Sequence, residues 1–258
     1  MSGPNGARMK KVLAIVLGLV VLVVVPIIAL GAVTFGGLAT LEDESLGRLG
    51  EVVKDGYVSI GLLDVGEGKL ALIDAGVDKD GKALLAALTR RGRNPEDVVA
   101  VFLTHGHPDH LAGVHLLPKA TAHLIGAEIP YMTGESKYRG PLPGLMGVKD
   151  PGFRPAAIAD GDRIQVGMRT IEVFAVPGHT IGSAAYLVDD VLFLGDAASL
   201  ESEGGLRSGP WLFSDDVDQQ TASLRSLAHV LKGRTIKKMV FGHTGSASSA
   251  APLESFAR

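Results

Sequence analysis

The chain has 258 residues, a formal net charge of −3 and a sequence pI of about 6.2, so it is long enough for one sizeable domain with an appendage. It contains no cysteine, which excludes disulfide bonds, a cysteine nucleophile and thiolate metal ligands, and leaves histidine and carboxylate side chains to hold any metal ion. The slight acidic excess argues against nucleic acid as the main partner, because phosphate binding needs a clustered basic surface.

The first predicted element is a membrane-spanning helix. Residues 12–33 carry no charge and are almost all apolar. As a helix this segment spans about 33 Å, close to the roughly 30 Å hydrocarbon core of a bilayer. Arg8, Lys10 and Lys11 precede it and an acidic stretch at 42–44 follows it. Because basic residues tend to stay cytoplasmic, we expect the rest of the chain to lie outside the cytoplasm.

A cleaved signal peptide is the alternative for this segment, with a small-residue cleavage site near Gly37-Leu38-Ala39. The apolar run exceeds the 7–15 residues that are usual in the core of such a peptide, which favours an uncleaved anchor. The sequence therefore predicts four parts: a short cytoplasmic N-terminus at 1–11, a transmembrane anchor or signal sequence at 12–36, a linker at 37–50 and one catalytic domain at 51–258.

The rest of the chain alternates short apolar runs with turn-forming segments, which is typical of a sheet-rich domain. The predicted elements are strands at 52–63 and 70–73 with a turn at 66–68, a helix at 82–91, strands at 98–103 and 121–125, a long loop at 130–155, strands at 163–166, 170–176, 184–188 and 191–194, an irregular loop at 201–213, a helix at 215–232 and a strand at 236–241. Two β-rich halves with helices outside them predict an α/β (α+β) fold, a four-layer αββα sandwich.

The segment that follows the predicted strand at 98–103 has the strongest chemical signal. It reads Thr104-His105-Gly106-His107-Pro108-Asp109-His110. Histidines two positions apart in an extended turn can direct two imidazoles at one ion, and the next aspartate and histidine can face a second ion. These donors suit zinc, iron or manganese. A solvated polar loop is the alternative, but it does not explain four donors at this spacing.

Three further donors each lie just beyond an apolar run: His179, Asp196 and His243. Because strand ends in a layered fold converge on one edge, we expect these side chains to meet the first motif there. The other three histidines, His115, His123 and His229, have no such setting, and we expect them to be structural or exposed.

This arrangement resembles the metallo-β-lactamase superfamily over residues 52–244. The motifs at 104–110, 178–180, 195–196 and 242–243 occur in the family's order, and residues 72–76 are similar to its early aspartate turn. The resemblance implies two divalent metal ions, zinc first, with iron and manganese as alternatives. It assigns His105, His107 and His179 to the first ion, Asp109, His110 and His243 to the second, and Asp196 to a bridge between them. It makes Asp74 a residue that orients a ligand or supports the turn, for which a plain turn role is an equal alternative.

The resemblance also implies a hydrolase in which a hydroxide activated by two metal ions attacks an ester-type bond, with Asp109 and His110 as candidate catalytic residues. Residues 178–183 and 194–196 look most like the glyoxalase II thioesterases, and Asp196 argues against the β-lactamase branch that lacks the bridging aspartate. Larger glyoxalase II enzymes add a C-terminal helical region. Because this chain ends soon after His243, we expect similarity to shorter members, or a thioester, lactone or ester of another kind.

The two long predicted loops are the expected source of substrate contacts. Their candidate residues are Tyr131, Lys137, Tyr138, Arg139 and Trp211, although each of these can also simply solvate or anchor its loop. The expected partners are a small acyl substrate and, through the N-terminal helix, a membrane. Alternative functions are a phosphodiesterase or nuclease of the same fold, a β-lactamase, and a metal-binding membrane subunit without activity.

Overall fold

The computed structural model describes residues 4–257, and the chain divides into two units between Gly37 and Leu38. The first unit is a single helix, α1 (Pro4–Phe35). Within its segment Lys11–Phe35, an 18-residue window has a mean hydropathy of 3.3 and is not buried within the protein. Length and composition make this helix a candidate to cross a membrane, and a signal sequence has the same properties.

The second unit contains two large sheets and a small hairpin. The strands of the first sheet, in their spatial order, are β1 (Glu44–Ser45), β2 (Gly50–Asp55), β3 (Val58–Gly66), β4 (Lys69–Ile73), β5 (Val98–Phe102), β6 (Thr121–Ile125) and β7 (Ala156–Ile158). Strands β1 to β4 are antiparallel to their neighbours, whereas β4 to β7 are parallel.

The strands of the second sheet and of the small hairpin are β8 (Arg163–Val166), β9 (Arg169–Ala175), β10 (Ala184–Val188), β11 (Val191–Phe193), β12 (Ala198–Leu200), β13 (Leu206–Ser208) and β14 (Lys238–Val240). The second sheet has the order β14-β11-β10-β9-β8, and β12 pairs with β13. Strands β11 and β14 are parallel, so the last strand is added beside a hairpin formed much earlier in the chain.

Helices accompany these sheets on both sides. They are α2 (Lys82–Arg90), α3 (Pro108–Leu111), α4 (Ile129–Met132), α5 (Pro141–Met146), α6 (Val217–Val230) and α7 (Ala251–Phe256). Helix α6 is preceded by Asp216, whose carboxylate accepts a hydrogen bond from the amide of Gln219 and so caps the helix.

Three apolar layers hold the sheets and helices together. Successive residues of a strand point to opposite faces, so each sheet contributes to two layers. The central layer lies between the two sheets and contains Phe102 and Tyr186. The outer face of the first sheet packs on Leu84 and Leu88 of α2. The outer face of the second sheet packs on α6 through Leu224, and on α7. The layer order is therefore helix, sheet, sheet, helix, as the sequence predicts.

Several element boundaries differ from the predicted ones. The predicted strand at 52–63 is two strands, β2 and β3, because Gly56 takes a φ of 64° in a two-residue turn with Tyr57. The predicted loop at 130–155 overlaps the short helix α4 and contains α5, and the loop at 201–213 contains β13. Most of the predicted linker at 37–50 packs on the domain, where Leu41 and Leu49 are buried and β1 pairs with β2.

Candidate metal centre

The predicted donors, together with Asp74, follow the carboxyl ends of five strands. Asp74 follows β4, and the 104–110 motif follows β5 in the first sheet. His179 follows β9, Asp196 follows β11 and His243 follows β14 in the second sheet. Strand β4 is parallel to β5, β11 is parallel to β14, and β9 runs in the same direction as β11 because both are antiparallel to β10. The segments therefore emerge at the same edge of each sheet.

His105, His107 and His179 form the first of two histidine groups, which we call the inner group. All three side chains are buried, and their candidate ligand atoms lie within 4.8 Å of one another. Nδ1 of His107 is 3.1 Å from Nε2 of His179, and the ring centroids of His105 and His107 are 4.6 Å apart. Nε2 of His105 is buried and makes no hydrogen bond to the part of the chain that the structure describes. Three imidazoles packed this closely, with a buried nitrogen left unbonded, fit a bound cation.

Asp109, His110 and His243 form the second group, which we call the outer group. Nε2 of His110 is 3.4 Å from Nε2 of His243, and Oδ2 of Asp109 is 3.6 Å from that same His243 nitrogen. His110 is fully buried, whereas Asp109 and His243 each keep about a quarter of the side chain exposed, at 26% and 27%. The outer group is therefore the side of the centre that is open to solvent.

Asp196 lies between the two groups. Its Oδ2 is 2.9 Å from Nε2 of His243 and 3.5 Å from Nε2 of His179, and its Oδ1 is 3.4 Å from Nε2 of His110. The side chain of Gln220 donates to the Asp196 carbonyl and fixes the backbone at this point. One carboxylate thus reaches an imidazole of the inner group and two of the outer group.

Asp74 and Thr104 determine which nitrogen of two histidines faces the centre. Asp74 accepts hydrogen bonds from the amide and the hydroxyl of Thr104, and from Nδ1 of His110 at 2.8 Å. Because the Thr104 hydroxyl donates to Asp74, it accepts from Nδ1 of His105, 3.1 Å away. We therefore assign the proton to Nδ1 in both histidines, which leaves Nε2 free to bind a cation.

Ser214 and Tyr57 fix the orientation of His179 and His243 in the same way, by each accepting a hydrogen bond from Nδ1. The Ser214 hydroxyl donates to the carbonyl of Pro210, so it accepts from Nδ1 of His179 at 3.1 Å. Nδ1 of His243 donates to the Tyr57 carbonyl at 2.8 Å. Neither Ser214 nor Tyr57 was predicted from the sequence. No local pattern marks them, although Thr104 was visible beside His105.

The two groups differ in charge. Burial lowers the pKa of His179 to about 3 and that of His107 to about 4, and burial together with the neighbouring imidazoles lowers the pKa of His105 well below its usual value. Burial also disfavours charge on His110 and His243, but the carboxylates around them, Asp196 above all, outweigh it and raise the pKa of both. Without metal, the surroundings therefore favour neutral imidazoles in the inner group and protonated imidazoles at His110 and His243.

The carboxylate between the groups is ionised. Burial raises the pKa of Asp196, but His243 and His110 outweigh burial and hold its pKa well below the usual value. The neutral imidazoles of the inner group, next to the ionised Asp196, are donors that divalent zinc, iron and manganese accept. Every cluster of this kind in residues 4–257 lies at this edge.

The predicted substrate residues divide into exposed and buried ones. Lys137 and Arg139 are exposed, and Trp211 is half-exposed. Tyr138 is buried, with its ring 4.7 Å from that of His107, and Tyr131 packs beside it at 5.5 Å. The structure therefore leaves the first three open to a ligand and places Tyr138 inside the protein as a neighbour of the inner group.

The three remaining histidines lie away from both groups. His115 is exposed and bonds the carbonyl of Ala112, His123 stacks on Phe102, and His229 is exposed on α6. None belongs to a candidate metal cluster among the described residues. This agrees with the structural or exposed roles expected from the sequence.

Comparison with known proteins identifies a family to which this chain is similar. The model of the metallo-beta-lactamase superfamily matches residues 53–243. Hydroxyacylglutathione hydrolases are among the curated relatives. That of Cereibacter sphaeroides (strain ATCC 17023) is 31% identical over 189 residues, which are 72% of this chain and 62% of the relative. That of Citrobacter koseri is 29% identical over 175 residues, 68% of this chain and 57% of the relative. The chain thus spans about three fifths of the length of these two relatives.

Solved structures show the same fold at lower identity. A subclass B3 metallo-beta-lactamase with an active-site glutamic acid has a TM-score of 0.65 at 19% identity, with 88% of this chain and 89% of the other covered. A metallo-beta-lactamase family protein from Thermus thermophilus has a TM-score of 0.59 at 24% identity, with 86% and 78% covered.

Proposed function

The chain belongs to the metallo-beta-lactamase superfamily, and from this premise we propose that it is a metal-dependent hydrolase acting on a thioester or a related acyl bond. The observation that carries the proposal is the convergence of seven donor side chains from four strand ends, with Nε2 of His105 buried and unbonded among residues 4–257. A cluster of buried imidazoles is costly without a cation, because each nitrogen loses its hydrogen bonds to water.

In this proposal each group holds one divalent ion. The inner group, His105, His107 and His179, takes the first ion, and the outer group, Asp109, His110 and His243, takes the second. Asp196 would be the carboxylate shared between the two sites, since its two oxygens face imidazoles of both groups. Zinc is the preferred metal for such donors, with iron and manganese as alternatives. When bound, such ions lower the pKa of water toward neutrality and polarise a carbonyl oxygen.

The protein's own side chains supply orientation and proton transfer. Asp74, Thr104, Ser214 and Tyr57 hold four imidazoles in the tautomer that presents Nε2. Asp109 is the most exposed carboxylate of the centre, so when the outer group holds no ion it is the side chain best placed to accept a proton from water and return it to a leaving group. Buried Asp196 and His110 do not meet solvent and keep the charge of the centre fixed.

The similarity to curated relatives supports an acyl substrate. The curated relatives named above are hydroxyacylglutathione hydrolases, and an acyl group on glutathione is a thioester. We propose that Lys137, Arg139 and Trp211 contact the substrate. The amides of Arg139 and Gly140 bond Asp215, which directly follows the Ser214 that supports His179, so their loop is tied to the centre.

The test is hydrolysis by the full-length protein in detergent, with zinc, manganese or iron supplied. Substrates are a thioester, a lactone, a β-lactam and bis-p-nitrophenyl phosphate. We expect metal-dependent turnover of the thioester or lactone, lost on chelation and in a His107→Ala variant. His229→Ala, on the exposed face of α6, is the matched control and keeps its activity. Preferred turnover of the phosphodiester, or activity that survives both chelation and His107→Ala, rejects the proposal.

Metal uptake is expected to release protons from the outer group only. A metal ion binds the deprotonated nitrogen, so an imidazolium must lose its proton first. The raised pKa values of His110 and His243 favour the protonated form of these two imidazoles, whereas the lowered pKa values of the inner histidines favour the neutral form. Calorimetric zinc titrations in buffers of different ionisation enthalpy measure the number released. We expect protons to be released near pH 7 and fewer from His243→Ala; uptake of two ions without any release contradicts this.

We further propose that α1 is an uncleaved anchor and that the catalytic domain lies outside the cytoplasm. Arg8, Lys10 and Lys11 before the apolar segment and the acidic residues at 42–44 after it support this orientation. Mass spectrometry of protein extracted from membranes tests the anchor. A mature chain that begins near residue 40 identifies a signal sequence instead.

A further inference from the structure

Glu128 is a fully buried acid next to the inner group that the proposed chemistry does not use. Its Oε1 accepts hydrogen bonds from the amide of Gly106 at 3.0 Å and from the hydroxyl of Tyr138 at 2.7 Å. Its Oε2 accepts from the amide of Gly182 at 2.8 Å. These three groups are donors, so both carboxylate oxygens act as acceptors toward them.

The two amides belong to different metal-binding loops. Gly106 lies between His105 and His107 on the loop after β5, and Gly182 lies three residues after His179 on the loop before β10. One carboxylate therefore joins the loop of the first sheet to the loop of the second sheet. Its amide partners are sequence neighbours of the inner group, since Gly106 separates His105 from His107 and Gly182 follows His179 by three residues.

Both loops lie directly against this carboxylate and its neighbours. A Cβ added at Gly106 would be 2.5 Å from the Tyr138 hydroxyl, and one added at Gly182 would be 2.5 Å from the Cβ of Glu128. Neither loop can shift toward Glu128, and neither can move away without breaking a hydrogen bond that water does not replace at a buried site.

Tyr138 adds a second restraint on His107. Its hydroxyl bonds Glu128, and its ring contacts the ring of His107 edge-on at a centroid distance of 4.7 Å. The same side chain thus touches the acid that joins the two loops and an imidazole of the inner group.

We propose that Glu128, assisted by Tyr138, is the positioning residue of the inner metal group: its carboxylate fixes His105 and His107 relative to His179. Asp74 has the corresponding place at the outer group, where it bonds His110. This inference rests on the proposed function, because it concerns the ion that the inner group holds. The inference predicts that Glu128 controls the affinity for the inner ion and Asp74 the affinity for the outer ion.

The test is metal affinity in a Glu128→Gln variant of the full-length protein, measured by calorimetry with zinc and by the absorption of bound cobalt. Glutamine keeps the shape but has one acceptor oxygen, so the amide of Gly106 or of Gly182 faces an NH₂ group. We expect the affinity for the ion of the inner group to fall about 10- to 100-fold, the usual effect of removing a residue that orients metal ligands. The affinity of the outer group should change much less.

Two further variants complete the experiment. Tyr138→Phe removes one donor and leaves the carboxylate in place, so we expect a smaller fall in affinity of the same ion. Glu172→Gln is the matched control, because Glu172 lies on β9 and bonds Arg163 and Arg234 away from the centre. Its metal affinities should equal those of the unmodified protein.

The results distinguish failure of the positioning role from failure of the proposed function. Unchanged affinities in a folded Glu128→Gln variant overturn the positioning role and leave the proposed hydrolase intact. A lower unfolding temperature with unchanged affinities, or an equal loss at both groups, also overturns it. If Glu128→Gln does not fold, Tyr138→Phe decides, and an unchanged affinity there rejects the role. Failure of the unmodified protein to bind any ion rejects the proposed function itself.

Discussion

Replacing Asp196 by asparagine is expected to lower turnover by a factor on the order of 10³ and to reduce the bound metal from two ions to one or fewer. The factor corresponds to several kcal/mol of charge stabilisation that a metal pair contributes in the transition state. Asp196 is ionised and buried, and it faces His110, His179 and His243. Asparagine has nearly the same shape, so the change removes the negative charge that two neighbouring cations require.

Metal analysis and steady-state kinetics check this prediction. Asp189→Asn is the matched control, since Asp189 lies at the turn between β10 and β11 and pairs with Arg169. Its backbone has a φ of 54°, a conformation that asparagine also tolerates. Two bound ions and ordinary turnover in Asp196→Asn would show that this carboxylate does not join the two groups.

The second large effect is expected at Asp74. Asp74→Asn should reduce the free energy of unfolding by about 2–4 kcal/mol, because a buried charged acceptor of several hydrogen bonds is replaced by a group that can satisfy only part of them. Asp74 accepts from the Thr104 amide, the Thr104 hydroxyl and Nδ1 of His110. Its φ of 59° suits asparagine, so backbone strain does not confound the measurement.

The same variant should weaken the outer ion about 10- to 100-fold while the inner ion is affected less, since His110 loses the acceptor that fixes its tautomer. Denaturant unfolding in the presence of a chelator measures the change in stability, and zinc titration measures the change in affinity. Asp160→Asn is a suitable control, because Asp160 is exposed and accepts a single hydrogen bond from the amide of Ala175. Equal stability of Asp74→Asn and this control would identify Asp74 as an ordinary turn residue.

Glu128 and Asp74 together make the two-ion arrangement testable without a known substrate. Both are buried carboxylates: Glu128 bonds the loops of the inner group, whereas Asp74 bonds His110 of the outer group directly and reaches His105 only through Thr104. If the two variants weaken different ions, the groups are separate sites held by separate supports. This selectivity does not depend on the acyl substrate, so it distinguishes the architecture of the centre from the identity of the reaction.

The candidate metal ligands could be predicted from the sequence alone. The 104–110 motif, His179, Asp196 and His243 each follow an apolar run, and apolar runs of this length predict strands whose ends converge in a layered fold. Cysteine is absent, which restricts the donors to imidazole and carboxylate. Fold class and candidate metal chemistry follow from these local patterns because strand period and donor type are properties of neighbouring residues.

The sequence did not predict the turn at Gly56 and Tyr57 and placed one long strand there, because apolar residues lie on both sides of it. The positive φ of Gly56 is visible only in the structure. It matters for the centre, because the Tyr57 carbonyl that accepts from His243 lies in this turn. Tyr138 was expected to contact substrate, but packing beside His107 buries it.

Tertiary structure alone decided how the donors are supported. Ser214 is 35 residues from His179, and Tyr57 is 186 residues from His243. Glu128 reaches amides that are 22 and 54 residues away. Such hydrogen bonds form only when two sheets pack together, and backbone carbonyls and amides carry no side-chain signature. The sequence therefore determined which groups can bind a metal, and the folded layers determined which nitrogen each histidine presents and which acid holds it there.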